Sequence, residues 1–243
     1  MRVYGKNVFN EVKNDYQKII KVYLSNTFKD EETLSFIKEN NINYQIVDNK
    51  VLDNMEKGLH QGIIIEMKDY EYYDLKALGD EDTVVILDHL EDPHNLGAII
   101  RTCEASGIKS IIIPKDRSVR VNATVMKTSA GALEHVKVIM VNNLVNTIKD
   151  LKKNNFFIYA ADMDGVNYKS ETYPKKVALV IGSEGFGLSR LVKENTDIVL
   201  SIPMRGRVNS LNASVAAALL IYEIMDRWLS WIIMNIMITN LSC

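Results

Sequence analysis

Four stretches of this 243-residue chain gather the side chains that could do chemistry. The first, DHLEDPHNLGAIIRT at 88–102, sets Asp92, Pro93, Asn95 and Gly97 in a turn that opens a helix carrying Arg101. Asn95 reads as an N-cap or turn residue there, and Arg101 as a solvated helix charge or a group that orients an anion. The second, IGSEGFGLSR at 181–190, holds Gly182, Gly185 and Gly187 in the spacing G-x-x-G-x-G. Glycines so dense call for positive φ or for close approach of backbone to a ligand. The spacing is neither a dinucleotide fingerprint nor a Walker A loop, and no Lys-Ser/Thr pair follows it. Glu184 inside this loop needs a partner if it is buried; the plainer reading is a glycine turn with an exposed carboxylate. The third, SIPMRGRVNSLNASVAAALL at 201–220, presents Arg205, Arg207, Asn209, Ser210 and Asn212 before a helix rich in alanine. Ser210 or Asn212 would cap that helix, and Ala213, Ala216, Ala217 and Ala218 would let a neighbouring backbone come close. The fourth, at 115–133, sets Lys115, Arg117, Arg120 and Lys127 against Asp116, as a solvated face or an anion-binding one.

This inventory excludes several chemistries. No Ser/His/Asp arrangement offers an obvious nucleophile, and no HxxxH or Cys/His cluster has metal spacing. His60, His89, His94 and His135 are scattered, as packed or surface histidines are. Cys103 and Cys243 cannot build a disulfide framework, and Cys103 falls in an apolar helical pattern that suits a small core residue. What remains is exposed glycine backbone, Asn and Ser hydrogen-bonders, one Glu and several Arg. That set suits a nucleoside-bearing ligand held beside an anionic partner, without naming a reaction.

The elements that must position these loops alternate strand and helix. Hydrophobic residues make up 47% of the chain and charged residues 25%, which excludes disorder, collagen and coiled coil as global descriptions. A net charge of -2 and a pI near 6.1 argue against a generally basic nucleic-acid coat and leave a local basic patch open. Residues 1–70 read as a small α/β domain, with strands at 21–26, 43–48 and 62–67 and helices at 8–15, 30–41 and through Met55. The charged, tyrosine-rich stretch 71–82 reads as a linker. From 83 to 227, short apolar runs at 83–88, 110–114, 136–141, 156–162, 177–182 and 197–203 alternate with helices. Runs that are apolar throughout mark strands buried on both faces, hence a doubly wound parallel α/β domain. Its ligand loops would be those after the strands, where all four stretches fall.

The two ends read differently. The N-terminus, MRVYGKNVFNEVKND, has no apolar h-region, so the expected compartment is a reducing cytoplasm. Residues 228–243, WLSWIIMNIMITNLSC, carry no charge. Their apolar part falls short of the roughly 20 residues a bilayer span needs. A helix extension packing on a partner and a drifted chain end are the readings weighed against a membrane anchor.

The three loops DPHNLGAIIRTCEASGI, LVIGSEGFGLSRLV and IPMRGRVNSLNASVAAALLIYE, in this order and with SAGALEHV between, resemble the SpoU (TrmH-type) RNA ribose methyltransferases of the SPOUT class. YGKNVFNEV and VLDNMEKGLHQGIIIE resemble the start and close of the substrate-binding domain of the family's rRNA branch. The resemblance implies methylation of a ribose 2′-hydroxyl with S-adenosyl-L-methionine as donor. It further implies a deep trefoil knot in the C-terminal domain and a homodimer through the knotted domains, with site groups coming from both chains. By position, Asn95, Arg101, Glu184, Ser210 and Asn212 match the catalytic motif residues. Ser129, Gly182, Gly187, Ile202, Met204 and Leu211 match the donor pocket. Phe186 falls where the family varies and takes no role. Arg101 is the family's proposed proton acceptor, but a guanidinium keeps its proton at ordinary pH, so holding the RNA phosphate and polarising the hydroxyl is the role expected. Lys115, Arg117, Arg120, Lys127, Arg205 and Arg207 would meet the RNA backbone. The layout implies a guanosine of 23S rRNA in the peptidyl-transferase region. The same chemistry on a tRNA guanosine, another rRNA target, and a non-catalytic RNA-binding assembly factor are the alternatives.

Overall fold

The computed structural model describes residues 1–241, with side chains through Arg227. They form two compact units, one of Met1–Glu71 with Val121–Gly131, the other of Tyr72–Arg120 with the chain from Ala132 onward.

The first unit is built on a four-stranded sheet. Its strands are β1 (Arg2–Tyr4), β2 (Ile19–Ser25), β3 (Tyr44–Val47) and β4 (Ile63–Met67), in the order β1-β4-β2-β3. β4 runs antiparallel to both β1 and β2, and β2 runs parallel to β3. Helices α1 (Lys6–Val12), α2 (Glu31–Glu39) and α3 (Asn49–Met55) complete it. Helix α2 starts where Asp30 accepts a hydrogen bond from the Thr33 amide at 3.1 Å. Glu31 and Glu32 then lie in its first turn, where negative charge meets the positive end of the helix dipole. Alternate residues Val22 and Leu24 of β2 and Ile63, Ile65 and Met67 of β4 share one core with Phe9, Val12 and Ile37.

The second unit is a six-stranded parallel sheet. Strands β5 (Thr83–Asp88), β6 (Ser110–Pro114), β7 (Lys137–Val141), β8 (Phe157–Asn167), β9 (Val177–Gly182) and β10 (Ile198–Ser201) lie in the order β10-β8-β9-β5-β6-β7. Val84, Ile86, Ala178 and Val180 pack with helix α6 (Leu144–Lys153) and with Val192 of α7 (Arg190–Glu194). The alternate residues Val85, Leu87, Leu179 and Ile181 are equally buried, on the face where α4 (Pro93–Ser106) and α8 (Ala213–Leu241) pack together. Burial on both faces is the doubly covered parallel sheet that the unbroken apolar runs demand. Cys103 lies wholly within this core, where burial pushes its thiol far above the ordinary range and leaves it inert.

Several boundaries depart from the sequence reading. The stretch 71–82 is not a free linker. Tyr73 exchanges backbone hydrogen bonds with Val138 and Met140 beside β7, and Leu78 packs in the core of the second unit. The span 83–227 is interrupted, because helix α5 (Ala123–Ser129) belongs to the first unit, where Ala123 and Met126 rest against its core. Strand β1 adds a fourth member to the first sheet. Helix α8 continues unbroken to Leu241, so the apolar end set apart at 228–243 begins as an extension of that helix; its side chains, and residues 242–243 altogether, lie outside the described residues. Among the described residues no helix is long and apolar enough to cross a membrane.

At Gly165 in β8, an added Cβ would fall 2.4 Å from the Val199 carbonyl oxygen on β10. Gly165→Ala should therefore disturb the β8–β10 pairing and cost about 1–3 kcal/mol, read as a lower midpoint of urea unfolding.

Candidate active site

Strand order places the loops after β5 and β9 side by side. From β5 the chain steps outward through β6 and β7, then returns to lay β9 against the other edge of β5. Asp88 and Gly182 are the last paired residues of that contact. Such a reversal opens a crevice beyond the carboxyl ends of the strands, where α/β sheets bind ligands.

The loop after β9 folds back on itself. Ser183 and Gly187 exchange backbone hydrogen bonds of 3.0 and 2.9 Å. A Cβ on Gly182 would sit 2.4 Å from the Gly187 carbonyl carbon, and Gly187 has φ +63°, so both positions need glycine. The fold-back holds Glu184 out toward its neighbours. Its Oε1 accepts from the Asn95 amide and, at 2.8 Å, from Nδ2 of Asn212. Three motifs far apart in sequence thus meet on one carboxylate oxygen.

The caps explain how both amides are free to reach it. Asp92, not Asn95, caps α4, accepting from the His94 amide at 3.0 Å, with Pro93 in the first turn. Asn95 is left buried on the first turn, 4% exposed. Asn212 rather than Ser210 caps α8: its Oδ1 accepts from the Ser214 amide at 3.0 Å and from the Ser214 hydroxyl at 2.6 Å. Its Nδ2 therefore remains for Glu184, so one side chain starts the helix and completes the cluster. Arg101 lies exposed farther along α4.

Beside the cluster lies a cavity of about 610 Å³, within the range of small-molecule sites. Of the expected donor residues, Gly182, Gly187, Ile202, Met204 and Leu211 line it, as do Glu184 and Ser210. Ser129 does not belong to this lining. It is buried in the first unit, where its hydroxyl donates to the Met126 carbonyl. The walls are largely apolar side chain and glycine backbone, a surface that can hold a flat heterocycle and offer it peptide groups. In the same lining Lys193 pairs with Asp162 at 2.5 Å. Burial pushes the Asp162 carboxyl up, but the Lys193 and Met163 hydrogen bonds outweigh it and hold the group below the usual range. Neither residue was singled out from the sequence.

Asp88 was missed as well. Its side chain is fully buried at the end of β5 and pairs with His89 Nδ1 at 2.5 Å. Its Oδ2 accepts from the Ser189 amide at 2.6 Å, fastening the far end of the glycine loop to the central strand. The visible signal was an acid closing an otherwise apolar run, VVILD, where a polar side chain is costly unless bonded. Among the described residues no cluster could hold a metal ion, and His60, His89, His94 and His135 stay dispersed.

The expected basic residues are all exposed but not all in one unit. Lys115, Arg117, Arg120, Arg205 and Arg207 belong to the second, Lys127 to the first. Arg120 is partly engaged, donating to the Lys115 carbonyl at 3.2 Å.

Comparison with known proteins gives this architecture a family. The SpoU rRNA Methylase family matches residues 82–222, and a second family, described as RNA 2′-O ribose methyltransferase substrate binding, matches residues 2–73. A Staphylococcus saprophyticus protein whose name places it in the TrmH family of tRNA/rRNA methyltransferases is 42% identical over 233 residues, 91% of this chain and 94% of the relative. The AdoMet-bound rRNA methyltransferase of Sinorhizobium meliloti has the same fold, with TM-score 0.70 and 23% identity, over 92% of this chain and 85% of that one. The TrmH/SpoU tRNA modifying enzyme of A. aeolicus is 30% identical with TM-score 0.56, over 61% of this chain and 76% of that one. The chain belongs to the SpoU/TrmH family of RNA methyltransferases.

If Asp88 fastens the glycine loop, Asp88→Ala should cost about 1–3 kcal/mol by leaving the Ser189 amide unpaired. Asp88→Asn, which keeps an acceptor, should cost less. Hydrogen exchange at the Ser189 amide should accelerate in the first variant and change little in the second.

Proposed function

We propose that this protein transfers a methyl group from S-adenosyl-L-methionine to a ribose 2′-hydroxyl of RNA, at a guanosine of 23S rRNA in the peptidyl-transferase region. The observation that carries this reading is the meeting of Asn95, Glu184 and Asn212 beside a cavity lined by five of the residues expected to hold the donor. The group fits what is present: apolar walls for the adenosyl part and glycine backbone for its polar edges. When bound, the donor supplies a methyl on a sulfonium, already a strong electrophile.

What the chain must add is placement and handling of one proton. Correct placement of reacting atoms can contribute up to roughly 7–11 kcal/mol in ideal cases. Gly182, Gly187, Ile202, Met204 and Leu211 hold the donor, and the Glu184 cluster fixes the loop that borders it. Arg101 binds the phosphate next to the target ribose and polarises the hydroxyl, whose proton passes to that phosphate or to water as the oxygen takes the methyl and the sulfur is left a neutral thioether, while Ser210 lies at the cavity edge as a hydrogen-bonder for the substrate. Because Arg101 is exposed, its action fits a site completed by a second copy of the chain. The exposed apolar residues Val215, Leu219 and Tyr222 on α8 suit such a homodimer. The knotted threading the family implies belongs to the same proposal, as does a cytoplasmic location.

Two features favour rRNA over tRNA. The substrate-binding match covers residues 2–73, the N-terminal segment of the first unit. The rRNA methyltransferase of S. meliloti is matched over both units, whereas the tRNA modifying enzyme of A. aeolicus matches 61% of the chain. The -2 net charge is no obstacle, since Lys115, Arg117, Arg205 and Arg207 supply positive charge locally.

The test is transfer from tritiated S-adenosylmethionine to RNA from a strain lacking the gene. Label in an alkali-resistant dinucleotide of 23S rRNA is expected; label in tRNA alone would favour the tRNA alternative, and no label would favour an assembly factor. Asn212→Asp keeps the helix cap but removes the Nδ2 donor and sets a carboxylate against Glu184, so it should cost about 1–2 kcal/mol, read as a lower unfolding midpoint, while methyl transfer falls at least tenfold. Arg101→Lys should also lose at least tenfold; near-full activity would refute bidentate orientation. RNA affinity should drop about tenfold or more between 50 and 200 mM salt.

A further inference from the structure

Phe186 has no task in the reading above. It stands two residues beyond Glu184 on the fold-back loop, borders the cavity, and is 92% exposed. A Cβ at either flanking glycine, Gly185 or Gly187, would meet nothing within 4 Å, so the space on both sides of the ring's attachment is open. A large apolar ring gains nothing from solvent, and its own chain offers it no cover. The cavity it borders is lined by cations as well as apolar groups, Arg190 and Lys193 among them, and Arg205 and Arg207 are exposed on the loop that leads to Asn212. An exposed π face on the rim of a cavity that also carries cations is a surface on which proteins hold unpaired bases, because every base has a face to stack and a phosphate alongside.

We propose that Phe186 is a stacking platform for an unpaired RNA base next to the target ribose, and so a determinant of which nucleotide is presented. This rests on the RNA methylation proposed above. The ring carries no hydrogen-bond donor or acceptor, so it selects by stacking area, favouring purines, and leaves finer discrimination to polar neighbours. Its seat on the Glu184 loop ties base capture to the position of the catalytic cluster.

The full-length protein tests this with 23S rRNA from a strain lacking the gene as probe. Phe186→Ala and Phe186→Leu should raise KM for RNA about five- to hundredfold. S-adenosylhomocysteine affinity, measured by calorimetry, and sedimentation mass should stay unchanged. Phe186→Trp should keep the wild-type KM and show quenching of tryptophan emission by RNA beyond that of wild type, whose own tryptophans are Trp228 and Trp231. Weaker S-adenosylhomocysteine binding with unchanged KM would mean that the ring covers the donor instead. A changed sedimentation mass would assign it to contact between copies, and a leucine variant equal to wild type would remove the need for an aromatic. Any of the three overturns the proposal. Should wild type transfer no methyl to RNA, the activity reading fails separately. The quenching experiment then decides the stacking: excess quenching supports it and none overturns it.

Discussion

One oxygen of Glu184 takes hydrogen bonds from two amides, and each amide comes from a residue committed to another helix. Asn95 is held by the first turn of α4 and Asn212 by its own capping of α8. A carboxylate satisfied by charge-assisted bonds gains roughly twice what a neutral acceptor would. The arrangement is therefore an energetic reason for three loops to stay together, not merely a place where they pass. Ser183 and Gly187 brace the loop internally, while Asp88 fastens its exit to the central strand. The cavity is the space these constraints leave open.

The sheet makes this convergence unavoidable. A parallel strand order that reverses at β5 and β9 puts their carboxyl ends side by side, and everything emerging there shares a crevice. Helices α4 and α8, which pack together on one face, begin at the same rim, so residues at their starts become site residues. Asn212 is the clearest case, since helix initiation and site assembly use opposite ends of one amide group.

Much of this was legible before the fold was known, for identifiable reasons. Unbroken apolar runs announced the strands of the second unit, and glycine density marked the loop at 182–187. Glu184 is exposed, so burial did not foretell its partners, and hydrogen-bond donors 89 and 28 residues away leave no local pattern. Asp92 and Asn95 are both capping types in one turn, and only geometry could assign the cap to Asp92. Strand β1 spans three residues, too few to show a period. Asp88 looked like the polar end of a strand because its value lies in a backbone amide 101 residues away.

Helix α5 has a bearing on how such proteins can be recombined. The chain enters the second unit at Tyr72, gives Val121–Gly131 back to the first, and returns. The front of the polypeptide is thus not a detachable cassette. Exchanging residues 1–71 alone between relatives would strand Met126 and Ala123 against a foreign core, so a chimera that keeps both halves folded has to carry the 121–131 excursion with its own front half. Divergence through wholesale swapping of the first unit is correspondingly hindered, and gradual change at exposed positions is the easier route.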